Sequence, residues 1–121
     1  MKIPREEITF PLQVPRGTSF PFLVKVYNDN GEPYRLRYGD ILIFGVKHYL
    51  TQQQCVITKT RGGADYDSNY EGYVFTLEPS DTKDLAIDTY KYDVSLQTLE
   101  QDLYPVIPTS DFEIKGRVTS F

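Results

Sequence analysis

The chain has no tryptophan and only one cysteine, one histidine and one methionine among its 121 residues. Each absence excludes something. A lone Cys55 forbids an intrachain disulfide framework and suits a reducing compartment. One Cys and one His cannot supply the three or four soft ligands of a zinc or copper site. Alanine is scarce and no long helical pattern occurs. The longest apolar run, Ile41 to Val46, is far shorter than a membrane span requires. Basic residues are in deficit, 13 against 17 acidic, for a formal charge of −4. A surface that tracks phosphates is normally net basic, so nucleic acid is not an expected partner. The opening Met1-Lys2-Ile3-Pro4-Arg5-Glu6-Glu7 carries acids early and lacks an apolar signal core, so synthesis and folding in a cytoplasm are expected.

What is abundant points to sheet. Ten Tyr and seven Phe join Val, Ile and Thr, the residue types that fit a pleated, half-buried surface. Eight Gly and eight Pro divide the chain into short pieces. The length suits one domain, residues 1–121, with residues 1–7 as an extended arm able to reach a neighbour.

Read along the chain, segments of period two alternate with turns, the pattern of an all-β antiparallel sandwich of seven to eight strands. Strands are expected over Ile8–Val14, Phe20–Tyr27, Ile41–Tyr49, Gln53–Thr60, Glu71–Leu77, Thr89–Leu96, Leu103–Ile107 and Asp111–Val118. Phe20, Phe22, Val24 and Val26 share one face, and Pro21 marks an edge or the first residues of a strand, because it cannot donate to a ladder. Tyr73, Phe75 and Leu77 turn inward, as do Tyr90, Tyr92, Val94 and Leu96, and then Phe112, Ile114 and Val118. Pro79 to Leu85 reads as one short helical turn near 80–85, with Ser80 as its N-cap.

Short matches to catalytic motifs fail on their context. Ser80-Asp81-Thr82-Lys83 fits Ser-x-x-Lys, but its Ser-Asp-Asn and Lys-Thr-Gly partners are missing. Asp65-Tyr66-Asp67-Ser68-Asn69 resembles half of a calcium loop, then places Tyr70 where Gly belongs and Thr76 where the bidentate Glu belongs, leaving at most a weak cation site in loop 65–71. Arg61-Gly62-Gly63 lacks the Lys-Ser/Thr and helix of a phosphate loop. Cys55 and His48 show no dyad spacing and read as a packing thiol and a surface imidazole. No enzyme activity, cofactor or metal is expected. Tyr34, Tyr38, Tyr66 and Tyr70 fall in loops or near turns and are the candidates for partner contact.

One stretch carries a resemblance. Ser80 to Val94 places a one-turn helix before Tyr90-Lys91-Tyr92-Asp93-Val94, similar to the corner of immunoglobulin-like domains where a tyrosine hydroxyl ties back to the preceding loop. With Ile8-Thr9-Phe10, Pro15-Arg16-Gly17-Thr18-Ser19-Phe20, the Asn30-Gly31 turn and Pro33-Tyr34-Arg35-Leu36, the chain resembles Ig-like domains of phage virion proteins, notably the N-terminal domain of baseplate upper proteins. Asp88 stands where that corner commonly has Gly, and Glu100-Gln101-Asp102 replaces an Asp-Gly hairpin; Asp at 88 can itself adopt positive φ. The resemblance implies Tyr90 and Tyr92 as structural corner residues and a tail or head component docking on other virion proteins and assembling in rings. It does not imply receptor binding. Burial of a sheet face or pairing of an edge strand would supply the contact. The competing expectation is a small carbohydrate- or ligand-binding sandwich using the loop tyrosines.

Overall fold

From Thr89 to Gln97 the side chains alternate between buried and accessible with no break, so one face of this strand makes core and the other meets solvent. The computed structural model describes residues 11–117, and the rest of the architecture is laid beside that strand. The elements are β1 (Leu12–Pro15), β2 (Phe20–Val24), β3 (Ile41–Lys47), β4 (Ile57–Gly62), a 3-10 turn (Gly63–Asp65), β5 (Tyr66–Asp67), β6 (Gly72–Leu77), α1 (Pro79–Thr82), β7 (Thr89–Gln97) and β8 (Leu103–Lys115). They form a five-stranded sheet in the order β1-β8-β7-β3-β4 and a three-stranded sheet in the order β2-β6-β5. One core cluster takes side chains from both sheets, so the protein is all-β with its two sheets face to face.

Phe44 of β3 is the hub of that core. Its ring centroid lies 5.0 Å from Phe22, 5.6 Å from Tyr92, 5.9 Å from Phe75 and 6.1 Å from Phe112. Tilted aromatic pairs at this spacing add about 0.5–1.5 kcal/mol each beyond area burial. Polar ties also cross between the layers. On the edge strand β4, Lys59 and Arg61 alternate with the outward threonines, Lys59 reaching α1 and Arg61 the second sheet. Lys59 Nζ meets Asp81 Oδ2 at 2.9 Å, and Arg61 Nε donates to the Val74 carbonyl at 2.8 Å. Thr82, fully buried, accepts the Gly17 N–H through Oγ1 at 2.8 Å.

Several expectations need correction. The sheets are not wholly antiparallel: β1 runs parallel to β8, with Leu12 opposite Phe112. The two expected C-terminal strands are one, β8, which keeps pairing with β7 through register shifts at Tyr92–Val94 and Val94–Ser95. Within the expected 61–69 loop, residues 66–67 form the short β5. β2 stops at Val24, with only an isolated Tyr27–Pro33 bridge beyond it, and β4 starts at Ile57 instead of Gln53. The helical turn is capped by Glu78, not Ser80: Pro79 takes the first helical position, and the Glu78 N–H donates to Asp81 Oδ2 at 2.7 Å. Pro21 does lie on an edge strand, β2. The arm 1–7, the Ile8-Thr9-Phe10 segment and Val118 lie outside the described residues. Among those described, no helix is long and apolar enough to cross a membrane.

Candidate functional site

β3 and β6 start, and β2, β4 and β7 finish, at the same end of the molecule, so the connections 25–40, 63–65, 68–71 and 98–102 gather there. All four loop tyrosines come to this end. They do not share one environment.

The 25–40 connection is held from inside. Gly31 adopts φ +85° to complete the Asn28 turn, and Tyr34 N–H then returns to the Val26 carbonyl at 2.7 Å. The Leu36 N–H donates to the Tyr73 hydroxyl at 2.9 Å. Asp40, buried, accepts at one carboxylate oxygen from the Tyr34 hydroxyl at 2.9 Å and the Arg37 N–H at 2.8 Å. Tyr34 is therefore a core residue, only 7% exposed, and does not offer a partner its ring. Burial, then the Asp40 hydrogen bond and charge, push its hydroxyl up to about 12. Burial likewise raises Tyr73.

That bracing presents the residues beyond it. Tyr38 is 92% exposed, at the tip of the 37–40 turn. Gly39 has φ +85°, and a Cβ there would come within 2.8 Å of Leu99, so the glycine lets the β7–β8 turn close against the 37–40 turn. The facing turn is equally fixed. Thr98 N–H donates to the Asp102 carbonyl at 2.9 Å, Asp102 N–H to Thr98 Oγ1 at 3.1 Å, and Gln101 N–H to the Thr98 carbonyl at 2.8 Å. Gln101 takes the left-handed conformation, φ +70°, while Asp88 is not among the positive-φ residues. Between the turns runs a groove of about 360 Å³ lined by Arg37, Tyr38, Leu99, Glu100, Asp102 and Tyr104, among others. Leu99 is 59% exposed and Leu103 63%, and Ile41 shares an outward row with Leu103 across Gln97. Tyr38 and Leu99 thus line a polar-walled groove, and Ile41 and Leu103 are accessible on the adjoining strands β3 and β8.

Tyr66 is half-buried, edge-on to Tyr73 at 5.4 Å, with the Arg35 guanidinium 4.2 Å above its ring. Tyr70 is exposed in the next turn. The two aspartates of loop 65–71 serve their own backbone: Asp65 accepts the Gly62 N–H, and Asp67 those of Asn69 and Tyr70. Among the described residues no three metal-ligating side chains converge.

No family model, curated protein or solved structure matches this chain. Function has to be read from these side chains.

At the opposite end, the Tyr90 hydroxyl donates to the Ala86 carbonyl at 2.9 Å, and Tyr92 packs between Phe44 and Phe112. His48 lies between Tyr49 and Tyr90, 4.3 Å from each ring, with Nε2 2.8 Å from Asp88 Oδ2. That hydrogen bond, with the Thr89 N–H, holds the Asp88 carboxyl below its ordinary range. Cys55 does not pack as expected: it is exposed, its Sγ lying over Gly45 beside a hollow of about 100 Å³, too small for an ordinary ligand. The groove residues Arg37, Leu99, Glu100 and Asp102 carried no sequence signal beyond flanking turns.

Proposed function

We propose that this chain is a non-catalytic immunoglobulin-like docking module, a structural part of a phage or prophage particle, and that its loop-bearing end is the contact surface. Support for the fold name comes from strand order. β2-β6-β5 opposite β8-β7-β3-β4 reproduces the B-E-D and G-F-C arrangement with one strand added beside C. A tyrosine at the start of β7 bonded to a carbonyl four residues upstream fits the corner of such domains. The phage assignment rests on the sequence resemblance.

The observation that carries the docking reading is that Tyr38 and Leu99 are exposed on two internally hydrogen-bonded turns, with Ile41 and Leu103 accessible at the starts of the flanking strands β3 and β8. Rigid backbone lowers the entropy lost on association, and an exposed aromatic is the usual anchor of an interface. A photo-crosslinking amino acid placed at position 38 in the producing cell tests it. A covalent adduct with a protein is expected from position 38, and not from position 49 at the far end. Adducts from 49 with none from 38 overturn the reading. Tyr38, standing beside the polar walls of the groove, also favours sugar stacking as a second reading. A tyrosine-fluorescence change on titration with glycans, abolished by Tyr38→Ala, would select it.

A further inference from the structure

The two walls of the groove carry opposite charge. Arg37 stands on the 37–40 turn, and Glu100 and Asp102 stand on the 98–102 turn. All three side chains are exposed, and among the described residues no ion pair or hydrogen bond engages the guanidinium or either carboxylate. Asp40, the remaining acid of the groove, is already occupied by Tyr34 and the Arg37 N–H. Tyr38 and Leu99, both exposed, line the same groove, with Leu99 set against Gly39 where the two turns meet. The cation and its two natural partners therefore line one groove without meeting.

A contact between two identical surfaces about a two-fold axis needs a patch that complements itself: each feature on one side of the axis must match its opposite on the other. A groove with one wall of a single sign, or with its charges already paired, fails that requirement. A positive wall and a negative wall, with apolar side chains lining the same groove, satisfy it. We propose that the loop-bearing end of this chain packs against the same end of a second copy, Tyr38 and Leu99 against their counterparts, with Arg37 of each copy facing Glu100 and Asp102 of the other. The proposal rests on the reading of this end as the contact surface and names its occupant. One end of a small sandwich offers a limited area, so the dimer is weak on its own and gains from multivalency in a larger particle.

Charge exchange tests it in the purified chain. Wild type is expected to show a concentration-dependent monomer–dimer equilibrium in sedimentation equilibrium, with a Kd below about 1 mM. Arg37→Glu alone, and Glu100→Arg with Asp102→Arg alone, each place like charges across both halves of the contact and should weaken it at least about tenfold. Mixed together, the two variants place opposite charges in both halves again and should recover a heterodimer of near wild-type affinity. That recovery separates a lost contact from a damaged fold, which mixing does not repair. Wild type that stays monomeric at about 1 mM overturns the proposal. So do single variants that dimerise normally, or a mixture that remains monomeric. If wild type is monomeric while position 38 crosslinks to a different protein, the second copy is ruled out and the docking surface stands; if neither occurs, both readings fall.

Discussion

Tyr34→Phe isolates the bond that braces the 37–40 turn. The hydroxyl is buried and donates to Asp40, a 5%-exposed carboxylate whose other donor is the Arg37 N–H. Removing the hydroxyl leaves a buried charge one donor short, and hydrogen bonds to charged groups contribute about 1.5–3 kcal/mol. Urea unfolding at neutral pH should show a loss of that size with an unchanged m-value. The same hydroxyl has a pH signature, set first by its burial and then by the Asp40 bond. Tyr34 ionises near 10.0 in the unfolded chain and at about 12 in the folded one. Its contribution is thus complete below the first value and disappears as pH rises through the second, because the unfolded state releases its proton first. A rise from 10.0 to about 12 corresponds to about 2–3 kcal/mol. The stability difference between wild type and Tyr34→Phe should therefore narrow across that window and vanish above it. A difference under about 0.5 kcal/mol at neutral pH, or one independent of pH up to 12, refutes the reasoning.

Three further outcomes can be measured. Thr82→Val removes the acceptor for the Gly17 N–H at a fully buried site and should cost about 1–3 kcal/mol by urea unfolding, whereas Thr82→Ser keeps most of the stability. Gln101→Gly relieves a left-handed backbone in the β7–β8 turn and should stabilise by about 0.5–1 kcal/mol, seen as a higher Tm, with Gly39→Ala moving Tm the other way because its Cβ would strike Leu99. His48→Ala should raise the Asp88 carboxyl toward its ordinary range, read by carboxyl NMR titration; the stabilisation from a depressed carboxyl is lost as pH falls through its folded-state value, so this variant should lose less on acidification than wild type does.

The inward faces were legible because alternation alone sets them: Tyr90, Tyr92, Val94 and Leu96 are all buried. Pro21 revealed an edge because a missing N–H is tolerated only there. Strand direction was not legible, since period two is the same for a parallel and an antiparallel neighbour, and β1 pairs with β8 in parallel. Two strands were expected over 103–118, and β8 instead runs unbroken from Leu103 to Lys115 through Pro105 and Pro108. The strand survives because β1 covers only Phe112 to Lys115, so among the described residues the β8 segment before Phe112 has one unpaired side on which a proline costs no ladder bond. At the candidate site, Tyr38 and Tyr70 stood out as aromatic residues in turns and are exposed. Tyr34 looked the same in sequence, but Asp40, six residues on, draws its hydroxyl inward. Arg37, Glu100 and Asp102 could not be grouped from sequence, because some sixty residues separate them and only the β3–β7 register brings their turns together.

The inward lysine and arginine of β4 have a consequence for how this protein can polymerise. A foreign strand zipping onto that border would meet a ribbon whose two long cations, Lys59 and Arg61, are already anchored to Asp81 and the Val74 carbonyl, leaving only short threonines on its outer surface to reward the newcomer. Of the other borders, β2 offers a proline, β1 only four residues and β5 only two. Growth by adding strands at these borders is thereby discouraged.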